Sequence, residues 1–284
     1  MSTFVETDGE PAEVLVTSSN SKGQQSSVPL APDGYPENLD IHIRYIKGMG
    51  GDMVEARRRW IESLKWREAE KVDTILDEPV PRFDIIKKYY PHFYFKTAKN
   101  GCHCYYEIPA GINLEKLREN GLKMDSLCRH YIYITEFLWK MVDTNPEGKL
   151  LTIMDLKGIR MSMFVGDVKD FVVRSAKMIS AHYPERSFKI FIINAPWWFN
   201  IIWKVVSPLL HANTRAKVIV CGSGFIDTLR ELVDDDKIPK DIGGSDPTPH
   251  LESPEEMQLR AHILKTLKEN NMEMTLEVSL LTFW

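Results

Sequence analysis

Hydrophobic and polar positions alternate with two different periods through the middle of the chain. Five short, mostly apolar runs have the length and composition of β-strands, at residues 93–95, 104–108, 151–155, 188–193 and 217–220. Apolar residues recur every three or four positions over 127–141 and 164–179, which predicts amphipathic helices. The last two runs read as central strands buried on both faces. Strands separated by helices predict an α/β fold with a largely parallel sheet.

The least polar stretch of the chain is residues 197–210, WWFNIIWKVVSPLL, which predicts a helix with one charge, at Lys204. A helix of this length rises about 21 Å. It has fewer residues than the roughly 20 that a bilayer span needs. A buried core helix and the wall or lid of an apolar cavity both fit this composition. The candidate cavity residues are Trp197, Trp198, Phe199, Ile201, Ile202, Trp203, Val205, Val206, Leu209 and Leu210.

The N-terminal region has a different composition. Residues 1–38 are rich in Ser, Pro, Gly, Glu and Gln, so we expect a disordered tail. Asp52 then has the side chain of a helix N-cap. Apolar residues follow it at helical spacing, at Met53, Ala56, Trp60 and Leu64. Residues 39–78 are therefore predicted to form an N-terminal helical segment.

The C-terminal region, residues 251–284, predicts one more helix. Ser253 and Glu256 have the spacing of a capping box, with Pro254 at the first helical position. We expect this helix to pack on the domain through an apolar stripe at Met257, Ala261 and Leu264. Residues 276–284, LEVSLLTFW, fit either an added strand or an apolar tail.

Composition and charge narrow the class of protein. The 284 residues carry a formal net charge of -4, which argues against a nucleic-acid partner bound through its phosphates. The four cysteines are scattered, as expected for reduced thiols in a cytosolic protein. The chain begins without the basic and apolar regions of a secretory signal. We therefore expect a cytoplasmic monomer whose membrane contact is peripheral.

No cluster of residues predicts a metal, a cofactor or a catalytic site. Cys102, His103 and Cys104 adjoin, but a strand points His103 away from both thiols, and structural zinc takes four ligands. The turn at 221–224 lacks the third glycine of a dinucleotide site and the Lys-Ser/Thr of a P-loop. We expect no cofactor and no enzymatic activity. An α/β enzyme whose catalytic pair meets only on folding stays an alternative.

A series of motifs in order resembles the CRAL-TRIO lipid-binding family. The motifs are WREAEKVDTIL at 66–76, YYPHFYFKT at 89–97, TIMDLKG at 152–158, YPER at 183–186, IINAPWWF at 192–199, TRAKVIVCG at 214–222 and IPKDIGG at 238–244. The resemblance spans about residues 39–246 and is closest to the phosphatidylinositol/phosphatidylcholine transfer proteins of the secretory pathway. It implies a sheet flanked by helices with an apolar lipid cavity over residues 79–250, preceded by the helical segment.

The same resemblance implies two headgroup sites. Glu185, Arg186, Thr214 and Lys217 match the positions that hold inositol phosphate. Tyr94, Tyr105, Tyr131 and Thr152 match the phosphatidylcholine set, and tyrosine rings can hold a quaternary ammonium. Departures from the family pattern are Met49 and Gly50 in place of a basic pair, Ala98 in place of an acidic residue and Leu150 in place of a serine.

These observations predict phospholipid transfer between membranes, with phosphatidylinositol bound, phosphatidylcholine exchanged and the helix at 197–210 as a mobile gate. The family implies transient contact with Golgi or endosomal membranes. The alternative on the same fold is a carrier or sensor of a sterol, tocopherol or retinoid, which the departures at Met49, Ala98 and Leu150 favour.

Overall fold

The structure is a computed structural model that describes residues 30–275. Contacts divide the chain into two units, Met1–Asp40 and Ile41–Trp284. In the first unit, the described residues form a turn in which Leu30 pairs with Pro36. Most of the predicted tail at 1–38 lies outside the described residues, as does the segment 276–284.

A five-stranded sheet in the order β1-β2-β3-β4-β5 forms the centre of the second unit. β1 (His92–Thr97) and β2 (His103–Glu107) are an antiparallel hairpin. β3 (Leu150–Asp155), β4 (Ser187–Ile193) and β5 (Val218–Val220) run parallel to β2. The largely parallel sheet of an α/β fold is confirmed. The prediction that the last run is a central strand was wrong, because β5 is a three-residue edge strand.

Helices cover both sides of this sheet. They are, in chain order, α1 (Ile43–Gly48), α2 (Met53–Ala69), α3 (Phe83–Tyr89), α4 (Leu114–Glu119), α5 (Met124–Phe137), α6 (Gly166–His182), α7 (Phe199–Val206), α8 (Ala212–Arg215), α9 (Ile226–Leu232) and α10 (Pro254–Glu269). β2 to β5 follow one another in space and in sequence. Right-handed crossovers between such strands put the connecting helices on one face. Accordingly α5, α6 and α7 share a face, and α9 packs on the other.

Helix α2 is fastened to the domain by a buried ion pair. Asp52 caps the helix by accepting from Val54 N and Glu55 N at 3.0 Å. Near the other end, Arg67 binds Glu136 of α5 with two hydrogen bonds of 3.0 Å. Arg58 and Arg59 of the same helix form ion pairs within α2, whereas Arg67 reaches α5.

Helix α10 covers the free edge of β1. Glu256 accepts from Tyr94 N at 2.9 Å and Glu255 accepts from Lys96 N at 3.2 Å. Ser253 caps α10 and donates its hydroxyl to Tyr94 O at 2.6 Å. These side chains satisfy backbone groups that an edge strand would otherwise offer to another strand. Lys87, itself buried, forms an ion pair with Glu256 at 2.8 Å.

The apolar face of α10 differs from the predicted stripe. Met257, Ala261 and Leu264 face solvent, whereas the buried apolar residues are Leu259, Ile263 and Leu267. The stripe is displaced because Glu255 and Glu256 must face β1, and they set the rotation of the helix. The predicted helical spacing is confirmed, but the residues predicted to pack on the domain were the wrong ones.

The predicted helix over 197–210 is shorter in the structure. α7 ends at Val206, and Ser207–Leu209 follow as a single 3-10 turn. Pro208 has no N–H to donate to the preceding turn, which breaks the α-helical hydrogen bonds there. At the other end, Trp197 precedes the helix and is 90% exposed. The prediction was therefore wrong at both ends.

Candidate functional site

The two faces of the sheet are packed differently. Along β3, Leu151 and Ile153 are fully buried, whereas Thr152 and Met154 are partly accessible. Neighbouring residues of a strand point to opposite faces. We call the side of Ile153 the closed face. The side of Thr152, which lies under α5, α6 and α7, we call the open face.

The open face changes from phenolic to aliphatic across the sheet. Strand pairing aligns one row of residues, Tyr94 of β1, Tyr105 of β2, Thr152 of β3, Ile190 of β4 and Val218 of β5. The tyrosines lie under α5, and the aliphatic end lies under α7. One continuous surface thus offers hydrogen-bonding groups at one end and an apolar floor at the other.

The predicted tyrosine site forms a pocket at the phenolic end. Tyr94, Tyr105, Tyr131 and Thr152 line one cavity of about 50 Å³. Leu150 also lines it, where a serine would have added a hydroxyl. The cavity is much smaller than the roughly 300–1,000 Å³ of typical ligand sites. A lipid headgroup would enter it only after the covering helices move outward.

Burial dominates the chemistry of these phenols. Tyr94 donates its hydroxyl to Ile134 O at 3.1 Å. The hydroxyl of Tyr105 is buried close to that of Tyr90 and makes no hydrogen bond of good geometry within residues 30–275. Burial raises the pKa values of Tyr94, Tyr105 and Tyr131, so all three stay neutral at physiological pH.

The other predicted residues lie at the amino ends of the parallel strands. Lys217 Nζ lies 3.1 Å from Glu185 Oε2, and both side chains are mostly buried. Burial acts to raise the pKa of Glu185, but hydrogen bonding and charge from Lys217 outweigh it and lower that pKa. Thr214 contributes its carbonyl, which accepts from Lys217 N at 3.0 Å. Glu185 has a φ of 56°, a left-handed conformation that L-residues rarely adopt and that is common at functional sites.

Arg186 joins the tyrosine pocket, although it adjoins Glu185 in sequence. Its guanidinium lies 3.9 Å from the ring centre of Trp139 and donates to Gly148 O at 3.2 Å. It forms no ion pair within residues 30–275. Burial, with the charge of Arg44 adding to it, lowers the pKa of Arg186 to about 10. The pocket therefore contains a cation without a counter-ion, which suits a phosphate.

Arg44 of α1 is a supporting residue that sequence reasoning missed. Its buried guanidinium donates to Glu185 O at 2.7 Å, to Gly148 O at 2.9 Å and to Pro146 O. The Arg44 side chain thus links the loop that carries Glu185 to the loop that carries Gly148, whose carbonyl also accepts from Arg186. No motif marked it, since its partners are backbone carbonyls about a hundred or more residues away.

Helix α7 presents apolar side chains in two directions. Phe199 and Ile202 are buried against Leu156 and Ile192 of the open face. Ile201 and Val205 face solvent, four residues apart on one side of the helix. Of the predicted gate residues, Trp198, Trp203, Val206, Leu209 and Leu210 are partly buried. The segment is therefore neither fully core nor fully surface.

A buried polar cluster next to the tyrosines was also missed. Tyr90 donates its hydroxyl to Glu107 Oε1 at 2.8 Å, and the ring nitrogens of His92 and His130 lie 2.9 Å apart. Burial raises the pKa of Glu107 to about 7 and lowers both histidine pKa values. Read as a sequence, Glu107 is an ordinary strand-end carboxylate, and only its position two residues after Tyr105 hinted at a shared face.

Other candidate features lie elsewhere. Ala98, which stands in place of an acidic residue of the family pattern, is buried in the closed-face cluster with Phe95 and Cys104. His103 Nδ1 lies 3.2 Å from a Glu255 carboxylate oxygen, and residues 30–275 contain no cluster of three metal-ligand side chains. Over the same range, no helix combines the length and apolarity that crossing a bilayer takes.

Comparison with known sequences gives consistent matches. The profile of the CRAL/TRIO domain matches residues 87–244. "Phosphatidylinositol/phosphatidylcholine transfer protein SFH12" of Arabidopsis thaliana is 28% identical over 76% of this chain and 41% of its own length. "Sec14 cytosolic factor" of Schizosaccharomyces pombe is 28% identical over 75% of this chain and 77% of its own length. The chain thus spans about two fifths of the plant relative and about three quarters of the fungal one.

A solved structure has the same fold. The protein described as "Crystal structure of Sfh5" aligns with a TM-score of 0.57 and 16% identity, covering 79% of this chain and 80% of that one. The fold match and the motif resemblance agree, and the domain profile covers more than half of the sequence. This chain belongs to the CRAL/TRIO domain family.

Proposed function

We propose that this protein binds phospholipids and transfers them between membranes, with phosphatidylinositol as its main ligand and phosphatidylcholine as a second one. The observation that carries the proposal is the open face, on which the phenolic pocket at Tyr105 continues into an apolar floor at Ile190. A phospholipid needs both parts, one for its headgroup and one for its chains. The relatives whose names include phosphatidylinositol/phosphatidylcholine transfer support the same ligand class.

Magnitudes explain why a carrier is needed. A two-chain phospholipid has on the order of 30 methylenes, each worth about 0.8 kcal/mol when buried, so escape into water is extremely slow. A protein that replaces the bilayer around the chains removes this barrier. Exchange is then partitioning between two apolar environments, without a covalent step and without enzymatic chemistry.

Helix α7 is the proposed gate over the apolar floor of the open face. The tyrosine cavity of about 50 Å³ lies under α5 and α6, so the space under α7 has to open for the lipid chains to be held. Outward movement of α7 would expose Phe199 and Ile202, which only a membrane could cover. The apolar side chains already exposed, Trp197, Ile201 and Val205, would contact the bilayer first. Lys204, the one charge of α7, would favour an anionic surface.

The corner around Glu185 and Lys217 is the proposed phosphatidylinositol headgroup site. The Lys217 ammonium can pair with the phosphate, and Glu185 can accept hydrogen bonds from ring hydroxyls. Of the other two predicted residues, Thr214 adjoins this corner through its carbonyl, and Arg186 lines the tyrosine pocket. The phosphatidylcholine headgroup enters the tyrosine pocket instead, where Tyr94, Tyr105 and Tyr131 face a quaternary ammonium.

Lipid analysis of the purified protein tests this proposal. Mass spectrometry of its extract should find phosphatidylinositol or phosphatidylcholine, and labelled forms of both should move between vesicles. A sterol, tocopherol or retinoid in the extract would support the alternative carrier. An empty extract together with turnover of a soluble substrate would support an α/β enzyme instead.

The proposed place of action is the cytoplasm, with transient contact at Golgi or endosomal membranes. The fungal relatives named cytosolic factors support the first part. Fractionation of cells expressing the tagged full chain tests both parts. Protein that is found only in the membrane fraction and stays there after a high-salt wash would contradict peripheral contact.

A further inference from the structure

Glu107 is a buried carboxylate next to the tyrosine pocket. It lies two residues after Tyr105 on β2, so both side chains point to the open face about 7 Å apart along the strand. Strand pairing puts His92 of β1 and Met154 of β3 on either side of it. Burial raises the pKa values of Tyr105 and Tyr131, which line the pocket, and the carboxylate charge of Glu107 adds to this rise.

This carboxylate has no cationic partner within residues 30–275. Its side-chain hydrogen bond comes from Tyr90 OH, at 2.8 Å. Lys87, on the neighbouring helix α3, is occupied by Glu256 at 2.8 Å and by His92 O at 3.1 Å. Leaving a carboxylate buried without a cation is costly, and such groups concentrate at functional sites.

Apart from Lys87, which is paired with Glu256, the groups around Glu107 provide hydrogen bonds and ring faces. Tyr90 follows α3, His92 belongs to β1, and His130 and Tyr131 come from α5. Burial lowers the pKa values of both histidines, so they are neutral at pH 7. Phe171 of α6 stacks edge-on against Tyr90, with ring centres 5.3 Å apart. Arg186, the cation of the tyrosine pocket, precedes β4 at the amino end of the parallel strands, whereas Glu107 ends β2 at the opposite end. A ligand can therefore supply the cation at the carboxyl end, where Glu107 lies.

We propose that Glu107 is the counter-ion for a cationic headgroup, so that the tyrosine pocket selects phospholipids carrying an ammonium group, choline or ethanolamine. The inference rests on the proposed phospholipid transfer and assigns its second site a specificity-determining residue. The buried hydroxyl of Tyr105, which lies close to that of Tyr90 but makes no hydrogen bond of good geometry within residues 30–275, could also bond to a headgroup donor or acceptor. An ammonium between a carboxylate and tyrosine rings also gains cation-π attraction.

Ionisation of Glu107 makes this selection depend on pH. Burial raises its pKa to about 7, and the hydrogen bond from Tyr90 opposes that rise. The carboxylate is therefore formed between about pH 6 and 8. Transfer of ammonium lipids should increase over this interval, while transfer of phosphatidylinositol relative to them should fall.

The test compares four labelled lipids with matched chains in vesicle-to-vesicle transfer at pH 6, 7 and 8. Phosphatidylcholine and phosphatidylethanolamine carry an ammonium, and phosphatidylinositol and phosphatidic acid do not. Glu107→Gln should lower the ratio of ammonium-lipid to phosphatidylinositol transfer about tenfold, equivalent to about 1.4 kcal/mol, and should flatten its pH dependence. Tyr106→Phe is the matched control, because Tyr106 is buried on the closed face between Tyr105 and Glu107.

A second variant keeps the test decisive if Glu107→Gln does not fold. Tyr90→Phe removes the hydrogen bond that lowers the Glu107 pKa, so the midpoint of the pH dependence should move to higher pH. An unchanged lipid ratio and pH profile in both variants would overturn the inference. Wild-type transfer of phosphatidylinositol without either ammonium lipid would overturn it while leaving phospholipid transfer intact. Transfer of none of the four lipids would overturn both.

Discussion

The closed and open faces of the sheet use alternate residues of the same strands but differ in packing. On the closed face Leu151, Ile153 and Phe191 are fully buried, as in a close-packed protein core. On the open face Thr152 and Ile190, their neighbours in sequence, stay partly accessible under α6 and α7. A close-packed face cannot admit a ligand without losing stability. The closed face therefore maintains the fold, and the open face is available to bind a ligand.

The largest expected effect is a difference in stability between two matched substitutions. Ile153→Ala leaves a cavity in the closed face and should cost about 2–5 kcal/mol of unfolding free energy. Ile190→Ala on the open face removes the same atoms from a site that is already partly accessible, and should cost less than half as much. Urea denaturation measures both. Equal losses would mean that the two faces are packed alike.

A second expected effect is a pH-dependent loss of stability caused by Glu107. Its pKa rises from 4.5 to about 7 on folding, so the folded protein binds the proton more tightly. Stability should therefore fall as pH rises from about 4.5 to 7, by roughly 3 kcal/mol, and then level off. Glu107→Gln removes this dependence. Denaturation of both proteins at pH 5, 6, 7 and 8 measures it, and parallel profiles would contradict the assignment.

Lys217→Ala should weaken binding at the corner around Glu185 and Lys217 and should also lower stability, because Glu185 loses its cation in a mostly buried site. Loss of a charged contact to phosphate should weaken phosphatidylinositol binding by about 1.5–3 kcal/mol. Lys237→Ala is the control, because Lys237 also pairs with a carboxylate at 3.1 Å, that of Asp234. Equal phosphatidylinositol transfer by wild type and Lys217→Ala would remove Lys217 from the site.

Hydrogen exchange should separate α7 from the strand beneath it. If α7 is the gate, vesicles should speed amide exchange over Phe199–Val206 by at least about tenfold, equivalent to about 1.4 kcal/mol. Exchange in β4 should stay slow under both conditions. Protection of α7 that does not respond to vesicles would make this helix ordinary core. A disulfide engineered between α7 and a neighbour should likewise abolish transfer while bound lipid is kept.

The smallest expected effect concerns the lining of the tyrosine pocket. Leu150→Ser adds a hydroxyl beside Thr152 and should strengthen phosphatidylcholine binding by about 0.5–1.5 kcal/mol, the net worth of one hydrogen bond. Leu151→Ser is the contrasting variant, because it puts the hydroxyl on the closed face and should reduce stability. Phosphatidylcholine uptake that is unchanged in Leu150→Ser would show that the headgroup does not reach this wall.

Local patterns were sufficient to predict most elements of the fold. Strand and helix periods identified β1 to β4, and the caps at Asp52 and Ser253 are present. The rotation of α10 was not predictable, because Glu256 is directed inward by Lys87, a partner 169 residues away. Likewise β5 reads as a central strand, since an apolar run does not reveal which strand will lie at the edge.

Candidate site residues could be named from the sequence only where the family resemblance marked a position. The family resemblance drew attention to Tyr105 and Lys217, and the structure puts Tyr105 in a pocket with Tyr94 and Tyr131 and puts Lys217 next to Glu185. Arg44 and Glu107 were missed, because their roles depend on burial and on contacts between distant segments. The burial of a single residue and its ionisation depend on the packed fold, and no periodic pattern in the sequence indicates them.

The guanidinium of Arg44 has a consequence for how the protein can be divided. The family profile begins at residue 87 and ends at 244. A fragment cut there would lose Arg44, leaving three loop carbonyls without their donor, and Glu256, leaving the Lys87 ammonium buried without its anion. Removing one partner of a buried pair costs about 3–5 kcal/mol, a large part of the stability of an ordinary domain. The recognisable family segment and the unit able to fold alone are thus different lengths of chain, and an expression fragment should start before α1 and continue through α10.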